Sequence, residues 1–462
     1  MNKNETIVAL STPNGSGAIA IIRMSGDKAL QILLNIFKRK NETSTLLHAR
    51  NYFGTIEEEA KIIDEVVCSY YKNPKSYTGE DLVEIFCHGS NYIIQTIIAL
   101  CIKNGARSAT AGEFTQRAFM HGKLDLSQAE SVADLIASEN NAQHQIAMSQ
   151  MRGGFSNELK EMRDALINFA ALLELELDFS EEDVEFVNRD AFKALLVNIA
   201  KKVEQLRNSF SYGNAIKKGI PVAIIGKPNS GKSTLLNTLM NEDRAIVSDI
   251  AGTTRDTIEE ILHINGTAFR LIDTAGLRET VDTIEQFGIA KTKQKTKDAS
   301  IVLLMVDIAE DVNDIVAQYV NLQLESHQIG IIVVNKIDNG SAGDAYNTEE
   351  AIATLAKTNA IAISAKQKLH IDKLGNLLLT EYEKKNTPSS DVIISNIRHY
   401  EALQNILETV KNIQEAMLAN VSSELIAIDV RMALRYIGNI TGEIEVDRDI
   451  LGTIFGKFCI GK

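Results

Sequence analysis

Five short stretches of this 462-residue chain have the residue types and spacing needed to hold and cleave a nucleoside triphosphate. The first is Gly226-Lys227-Pro228-Asn229-Ser230-Gly231-Lys232-Ser233, preceded by the apolar run Val222-Ala223-Ile224-Ile225 and followed by a helical stretch from Thr234. In a strand, loop, helix setting the glycines let backbone N–H groups wrap phosphates at a helix N-terminus. Lys232 neutralises β- and γ-phosphate charge, and the Ser233 hydroxyl is a magnesium ligand. Asp273-Thr274-Ala275-Gly276 ends a second strand, where the carboxylate can hold the magnesium shell and the Gly276 N–H can sense a γ-phosphate. In Ser248-Asp249-Ile250-Ala251-Gly252-Thr253-Thr254, Thr254 is placed to complete the metal shell. Asn335-Lys336-Ile337-Asp338 follows a buried strand, and the Asp338 carboxylate can accept from both N1–H and N2–H of guanine. Adenine offers neither donor, so GTP is favoured over ATP. Ser364-Ala365-Lys366 then supplies a backbone donor to the guanine oxygen. This order of motifs resembles the translation-factor-related GTPases.

Hydrolysis needs a group to activate water. Leu277 stands after Asp273-Thr274-Ala275-Gly276, where signalling GTPases carry a glutamine, and leucine can neither accept nor donate. Glu285, nine residues beyond Gly276, is the candidate base in the next segment, although by residue type alone a surface helix carboxylate is the simpler reading. Asn229, with carbonyls between residues 248 and 253, is suited to a monovalent cation beside the phosphates, which would supply the charge of an arginine finger.

The elements that position these groups follow from apolar patterning. From residue 6 to about 86, short Val-, Ile- and Tyr-rich runs alternate with turns and two helical stretches, an α+β pattern expected to close near residue 120. Long helices follow over 127–150, 155–178 and 189 to about 211. In the last, Phe192, Leu195, Leu196, Ile199, Val203 and Leu206 recur on one face. From Gly219 to about residue 384 the rhythm is that of a parallel sheet with helices on both sides. Helices then return, with a stripe of Leu403, Ile406, Leu407, Val410 and Ile413. An α/β unit inserted into a helical domain is the simplest arrangement. The acidic run LELELDFSEEDVEFV (173–187) reads as a solvated helix end.

Bulk composition narrows the function. With 45% hydrophobic and 24% charged residues the chain is that of an ordinary soluble protein. No apolar stretch reaches the length of a membrane span, so a cytoplasmic protein is expected. Cys68, Cys87, Cys101 and Cys459 form no CxxC pair and have no histidine at metal-ligand spacing, so the first three read as small buried hydrophobes. The net charge of −13 excludes a broadly basic RNA-binding surface and calls for a local patch or a partner if RNA is bound.

Five separated stretches, in order, identify the chain as a member of the MnmE (TrmE) family. They are TPNGSGAIAIIRMSG (12–26), SYTGEDLVE (76–84), GEFTQRAFMHGKLDLSQAE (112–130), the inserted unit with IVSDIAGTTRD and DTAGLRET, and the terminal FCIGK (458–462). The resemblance implies a tetrahydrofolate-binding and dimerising N-terminal domain over 1–120 and a helical domain in two halves, 121–215 and 385–462. Between the halves it implies a P-loop GTPase domain with a Ras-like doubly wound sheet over 216–384. It also implies that GTP hydrolysis is potassium-dependent and coupled to dimerisation. Together with a flavin-dependent partner, MnmG (GidA), in a heterotetramer, such a protein adds an aminomethyl or carboxymethylaminomethyl group to C5 of the wobble uridine of tRNA. A 5,10-methylene- or 5-formyl-tetrahydrofolate supplies the one-carbon unit. Matched positions assign potassium to Asn229, Ser248, Ile250 and Thr253, magnesium to Ser233 and Thr254, and water activation to Glu285. They assign folate to Arg23, Glu80, Lys123 and Lys462, residues that would otherwise read as surface charges.

The terminus excludes one competing function. A prenylation box has aliphatic residues after its cysteine and a permissive last residue, whereas Gly461 and Lys462 break both requirements and no polybasic segment precedes them. The resemblance instead has this tail reach back to the folate domain, of the other protomer, bringing Cys459 and Lys462 near the one-carbon unit. Packing or positioning suits Cys459 better than covalent catalysis. A ribosome-assembly GTPase that binds rRNA is the alternative function. Such proteins append a basic RNA module, for example a KH unit with its GxxG clamp, and this chain has none.

Overall fold

The computed structural model describes residues 5–39, 46–178, 188–242, 260–264, 267–272, 297, 299–339, 342–386, 391–419, 421–443 and 461. Two compact units share the chain. One comprises Met1–Ala137, Ala147–Leu196 and Glu408–Lys462, the other Ser138–Ile146 and Val197–Leu407.

The first unit is built on a seven-stranded sheet of β1 (Ile7–Leu10), β2 (Gly17–Ser25), β3 (Phe37–Arg39), β4 (Arg50–Glu58), β5 (Lys61–Tyr71), β6 (Leu82–Gly89) and β7 (Arg107–Ser108). Its order is β3-β4-β5-β6-β2-β1-β7, antiparallel except where β7 runs parallel to β1. Strand periodicity sends Ala20, Ile22 and Met24 of β2 to one face. There they join the buried residues of α1 (Ala29–Ile36) and α2 (Asn91–Lys103) in the main core. Cys68, Cys87 and Cys101 lie in this core. Burial pushes the Cys87 thiol up to about 11 and the Cys101 thiol up to about 12, so both stay protonated and unreactive at neutral pH. The opposite face carries Arg23 and Ser25, at alternate positions of β2. It is covered by a smaller cluster of Ile7, Ala9, Ala109 and Phe114 with Tyr77, Phe114 coming from α3 (Glu113–Met120).

Helices complete this unit. α4 (Leu126–Ile136) starts at a reciprocal cap, in which Asp125 accepts from Gln128 N–H while the Gln128 side chain accepts from Asp125 N–H. The expected single helix over 127–150 is two helices, α4 and α5 (Asn141–Met151). The reason is a second cap in the Ser-Glu-Asn-Asn stretch. Asn140 Oδ1 accepts from Gln143 N at 2.9 Å, and Gln143 Oε1 accepts from Glu139 N at 2.8 Å, so polar side chains compete successfully with a continuous ladder. α6 (Gly154–Asp178) and α7 (Arg189–Lys218) follow, the latter running about two turns beyond the expected end near residue 211. The acidic run is only partly solvated. Glu174 is exposed and pairs with Arg431, whereas Glu176 is buried and accepts from Arg189 at 2.7 Å and from Ser423 at 3.0 Å. Burial of that carboxylate is tolerable because both donors satisfy it.

The second unit holds a six-stranded sheet in the order β13-β12-β11-β8-β10-β9. Its strands are β8 (Ile220–Gly226), β9 (Glu260–Ile264), β10 (Thr267–Leu271), β11 (Ile301–Asp307), β12 (Ile329–Asn335) and β13 (Asn359–Ala362). All neighbours pair in parallel except β9 with β10. The near-continuous apolar runs of β11 and β12 fit strands buried on both faces. α8 (Lys232–Glu242) and α11 (Ile371–Asn386) supply the core on one face. Ile315 of α9 (Val312–Asn321) and Ile352 of α10 (Ala342–Ala356) supply it on the other. This is the expected doubly wound sheet. α12 (Ile397–Leu418) and α13 (Ser423–Thr441) close the described chain, and α13 packs on α6. Among the described residues no helix is long and apolar enough to cross a membrane.

Candidate functional site

In an open parallel sheet the loops at the carboxyl ends of the strands are the natural ligand site, and three of the expected motifs meet there. The phosphate loop turns between β8 and α8 through positive φ at Gly226 (151°), Asn229 (64°) and Gly231 (99°). The two glycines are sterically required: a Cβ on Gly226 would collide with the Met305 carbonyl, and one on Gly231 with the Asn335 amide. Lys232 Nζ donates to the carbonyls of Gly226 at 2.8 Å and Lys227 at 2.7 Å, which keeps the ammonium against the loop. Ser233 and Thr234 are exposed in the first turn of α8, while Ser230 is buried.

Asn335, at the end of β12, is 3% exposed and ties the loops together. Its Nδ2 donates to Ser230 O at 2.9 Å and its Oδ1 accepts from Ala365 N at 3.0 Å. One side chain therefore fixes the phosphate loop relative to the loop carrying Ser364, Ala365 and Lys366. Ser364 Oγ in turn donates to Asp338 Oδ1 at 2.6 Å, orienting the half-buried carboxylate.

Three contributors were invisible as motif members. Thr238 of α8 donates to Ala365 O at 2.8 Å, a second strut under the same loop. Asp307, the last residue of β11, accepts from Lys336 Nζ at 2.6 Å. Burial opposes ionisation of Asp307, but the hydrogen bonds from Lys336 and from Ala309 N–H bring its carboxyl below the usual range. Glu310 pairs in the same way with Lys227 of the phosphate loop at 2.7 Å. The only sequence signal for Asp307 is a charged residue closing an otherwise apolar strand. Ser248, Asp249, Ile250, Ala251, Gly252, Thr253, Thr254, Asp273, Thr274, Ala275, Gly276 and Glu285 lie outside the described residues.

A second charged centre occupies the Arg23 face of the first unit. Arg23 pairs with Glu84, directly across β2 and β6, at 2.7 Å, and its guanidinium lies 5.4 Å from the Tyr77 ring centre and 5.8 Å from that of Phe114. Glu80 accepts from Ser25 Oγ at 2.8 Å and from Arg117 at 2.9 Å. Arg117 also reaches Glu113 at 3.0 Å, and Glu113 binds Arg107 at 2.6 Å. Glu113 is 2% exposed. Burial works to raise its carboxyl, yet Arg107, the Thr110 N–H and Arg117 outweigh it and hold the group at about 2. Lys123 donates to Pro74 O at 3.1 Å, and its side chain runs beside Gly79, the neighbour of Glu80. Arg23, Glu80 and Lys123 thus share one neighbourhood. At the tail, Gly461 O accepts from Ser11 Oγ at 3.0 Å, and Gly461 packs against Leu10 at the end of β1. Cys459 and Lys462 lie outside the described residues.

A phosphate loop on the first strand of a parallel sheet, tied through Asn335 to loops that present Asp338 and Ala365, is the architecture of a P-loop GTPase. Family models extend the comparison beyond this unit: the MnmE helical domain matches residues 126–459 and the GTP-binding protein TrmE N-terminus matches residues 6–123. The chain belongs to the MnmE (TrmE) family. It is 50% identical over 475 residues to the tRNA modification GTPase MnmE of Christiangramia forsetii, with all of both chains covered. The Flavobacterium johnsoniae protein of that name is 49% identical over the full length of both chains. The Bacteroides fragilis protein of that name is 48% identical, with 99% of each chain covered. Among solved structures, translation elongation factor SelB from Methanococcus maripaludis in complex with the GTP analogue GppNHp overlaps 36% of this chain and 34% of its own, at 20% identity and a TM-score of 0.27.

Proposed function

We propose that this protein is a tRNA modification GTPase whose GTP cycle serves folate-dependent alteration of the wobble uridine. The observation that carries the nucleotide half is the Asn335 junction, which fixes the phosphate loop to the loop presenting Ala365 while Ser364 orients Asp338. Asp338 accepts from the guanine N1–H and N2–H, and the Ala365 region donates to the guanine oxygen. The phosphate-loop N–H groups and Lys232 hold the phosphates at the N-terminus of α8. Ser233, exposed on the first turn of that helix, together with Thr254 would hold magnesium. Asn229, exposed in the phosphate loop at positive φ, with Ser248, Ile250 and Thr253 would hold potassium. When bound, these cations offset charge that builds on the phosphates. Glu285 serves as base toward the attacking water.

The charge network in the first unit suits a pterin ring. Glu80, held by Arg117 and Ser25, presents a fixed carboxylate acceptor. Arg23 and Lys123, with Lys462 from the tail, give cations for a glutamate tail. Tetrahydrofolate, when bound, supplies the one-carbon unit. We further assign the chain to four segments, 1–120, 121–215, 216–384 and 385–462. It works as a homodimer in the cytoplasm with a flavin-dependent partner of the MnmG class.

Two measurements test this reading. GTP hydrolysis in potassium chloride should greatly exceed that in sodium chloride at equal ionic strength; equal rates would remove potassium from the account. Wobble nucleosides of tRNA from cells lacking the protein should lose the C5 substituent by mass spectrometry and regain it on complementation with the parent. An intact substituent in the deleted strain would overturn the tRNA assignment. Failure of Glu285→Ala to complement is expected, and full complementation would remove Glu285 from the mechanism.

A further inference from the structure

The edge of the second unit's sheet opposite the nucleotide loops carries two cationic recesses. The first, about 890 Å³, opens where β8, β10 and β11 begin or are level with that edge. Arg207, Lys218 and Arg270 line it, with Asn214, and its described lining contains no Asp or Glu. Phe210 and Tyr400 form one wall, their ring centres 4.7 Å apart. Arg207 reaches Glu204 only at 3.6 Å and otherwise donates to the neutral amides of Gln404 and Asn208. The second recess, about 660 Å³, lies at the starts of β12 and β13 and is lined by Lys357, Lys384 and Lys385. Its single described carboxylate, Glu381, pairs with Lys384. Neither recess takes part in the nucleotide site, which lies about 20 Å away, the length of β8.

Strand order sets their separation. From β8 to the β12–β13 pair is about 12 Å at ~4.8 Å per strand, which spans several phosphates of a polynucleotide strand. A chain of net charge −13 would not gather these cations along one edge for solubility, since acidic side chains serve that purpose as well. An aromatic wall beside cations also suits a nucleic acid, whose bases can stack, better than an acidic peptide.

We propose that this edge docks the phosphate backbone of tRNA, the two recesses gripping successive stretches of one strand. The inference rests on the tRNA reading above and adds to it the surface that binds. An RNA held there leaves the nucleotide loops uncovered, so GTP binding and RNA binding are separable.

The test is fluorescence anisotropy of the full-length protein with an end-labelled tRNA transcript across a salt series, for the parent and for the Lys218→Ala/Lys357→Ala double variant. Neither lysine has a role in the nucleotide site, and GTP affinity should be unchanged. The variant should bind tRNA on the order of tenfold more weakly at low salt, and its log K against log salt slope should be shallower by about 1.5. Lys218→Arg/Lys357→Arg should restore both values. Equal affinity and slope in parent and variant would overturn the docking site while leaving the tRNA reading intact. A parent that binds no tRNA at low salt would overturn the docking site, with the modification assay above deciding separately whether tRNA is the substrate. Weakened binding of poly-L-glutamate with unchanged tRNA binding would reassign the edge to an acidic protein and also overturn the proposal.

Discussion

At the nucleotide loops, most ties run between a side chain and a nearby backbone group: Asn335 to Ser230 O and Ala365 N, Thr238 to Ala365 O, Lys232 to Gly226 O. On the Arg23 face of the first unit most ties run from side chain to side chain, through Arg23–Glu84, Arg117–Glu80, Arg117–Glu113 and Arg107–Glu113. The first arrangement fixes loop conformation and holds Lys232 and Asp338 through hydrogen bonds to Gly226 O, Lys227 O and the Ser364 hydroxyl. The second holds its charges chiefly through one another. A site built on backbone struts should therefore lose ligand affinity before it loses stability, whereas a site built on buried ion pairs should lose both together.

Four substitutions probe this contrast, in descending size of effect. Asp338→Ala removes the acceptor for two guanine donors and should weaken GTP binding roughly a thousandfold, read by titration with a fluescent guanine nucleotide, with the melting temperature nearly unchanged. A matching loss of stability would show the two sites to be alike. Glu113→Gln leaves Arg107 and Arg117 without their shared carboxylate and should destabilise the first unit by about 3 kcal/mol, measured by urea unfolding. The pH dependence has a definite sign. Glu113 is held at about 2 against an ordinary 4.5, so its contribution is fully present above pH 4.5 and disappears as pH falls toward 2. The parent should lose stability steeply across that window and Glu113→Gln more gently; parallel curves would remove Glu113 as the cause. Asn335→Ala breaks two buried hydrogen bonds and should lower GTP affinity by about tenfold to a hundredfold, with a smaller stability change than Glu113→Gln. Thr238→Val, which loses one strut, should cost several-fold in GTP affinity, about 1 kcal/mol.

The same contrast explains what could be read from the sequence. The phosphate loop, Asn335-Lys336-Ile337-Asp338 and Ser364-Ala365-Lys366 are contiguous because a backbone turn and its few ties are local, so residue order is enough to find them. The doubly wound sheet was equally legible, since parallel strands buried on both faces give apolar runs such as Ile331-Ile332-Val333-Val334. Glu5, Arg23, Glu80, Glu84, Arg107, Glu113 and Arg117 come together only because β1, β2, β6, β7 and α3 converge, and no spacing announces that. Arg23 and Glu80 were singled out by resemblance alone, and their partners Glu84 and Arg117 were missed. The acidic run misled in the same way: Glu174 and Glu176 look alike in sequence, and only the fold sends Glu176 to Arg189 and Ser423. The break between α4 and α5 was hidden because residues 138–141 contain no Gly or Pro to announce it, while the caps that cause it depend on side-chain hydrogen bonds of Asn140 and Gln143.

The most direct test of the central claim is hydrolysis of GTP and of ATP, measured side by side with magnesium and potassium present, by the purified full-length protein. Turnover of GTP with negligible turnover of ATP, and loss of that preference in Asp338→Ala, is the expected result. Equal turnover of both nucleotides by the parent would contradict the reading of Asp338 and with it the GTPase assignment.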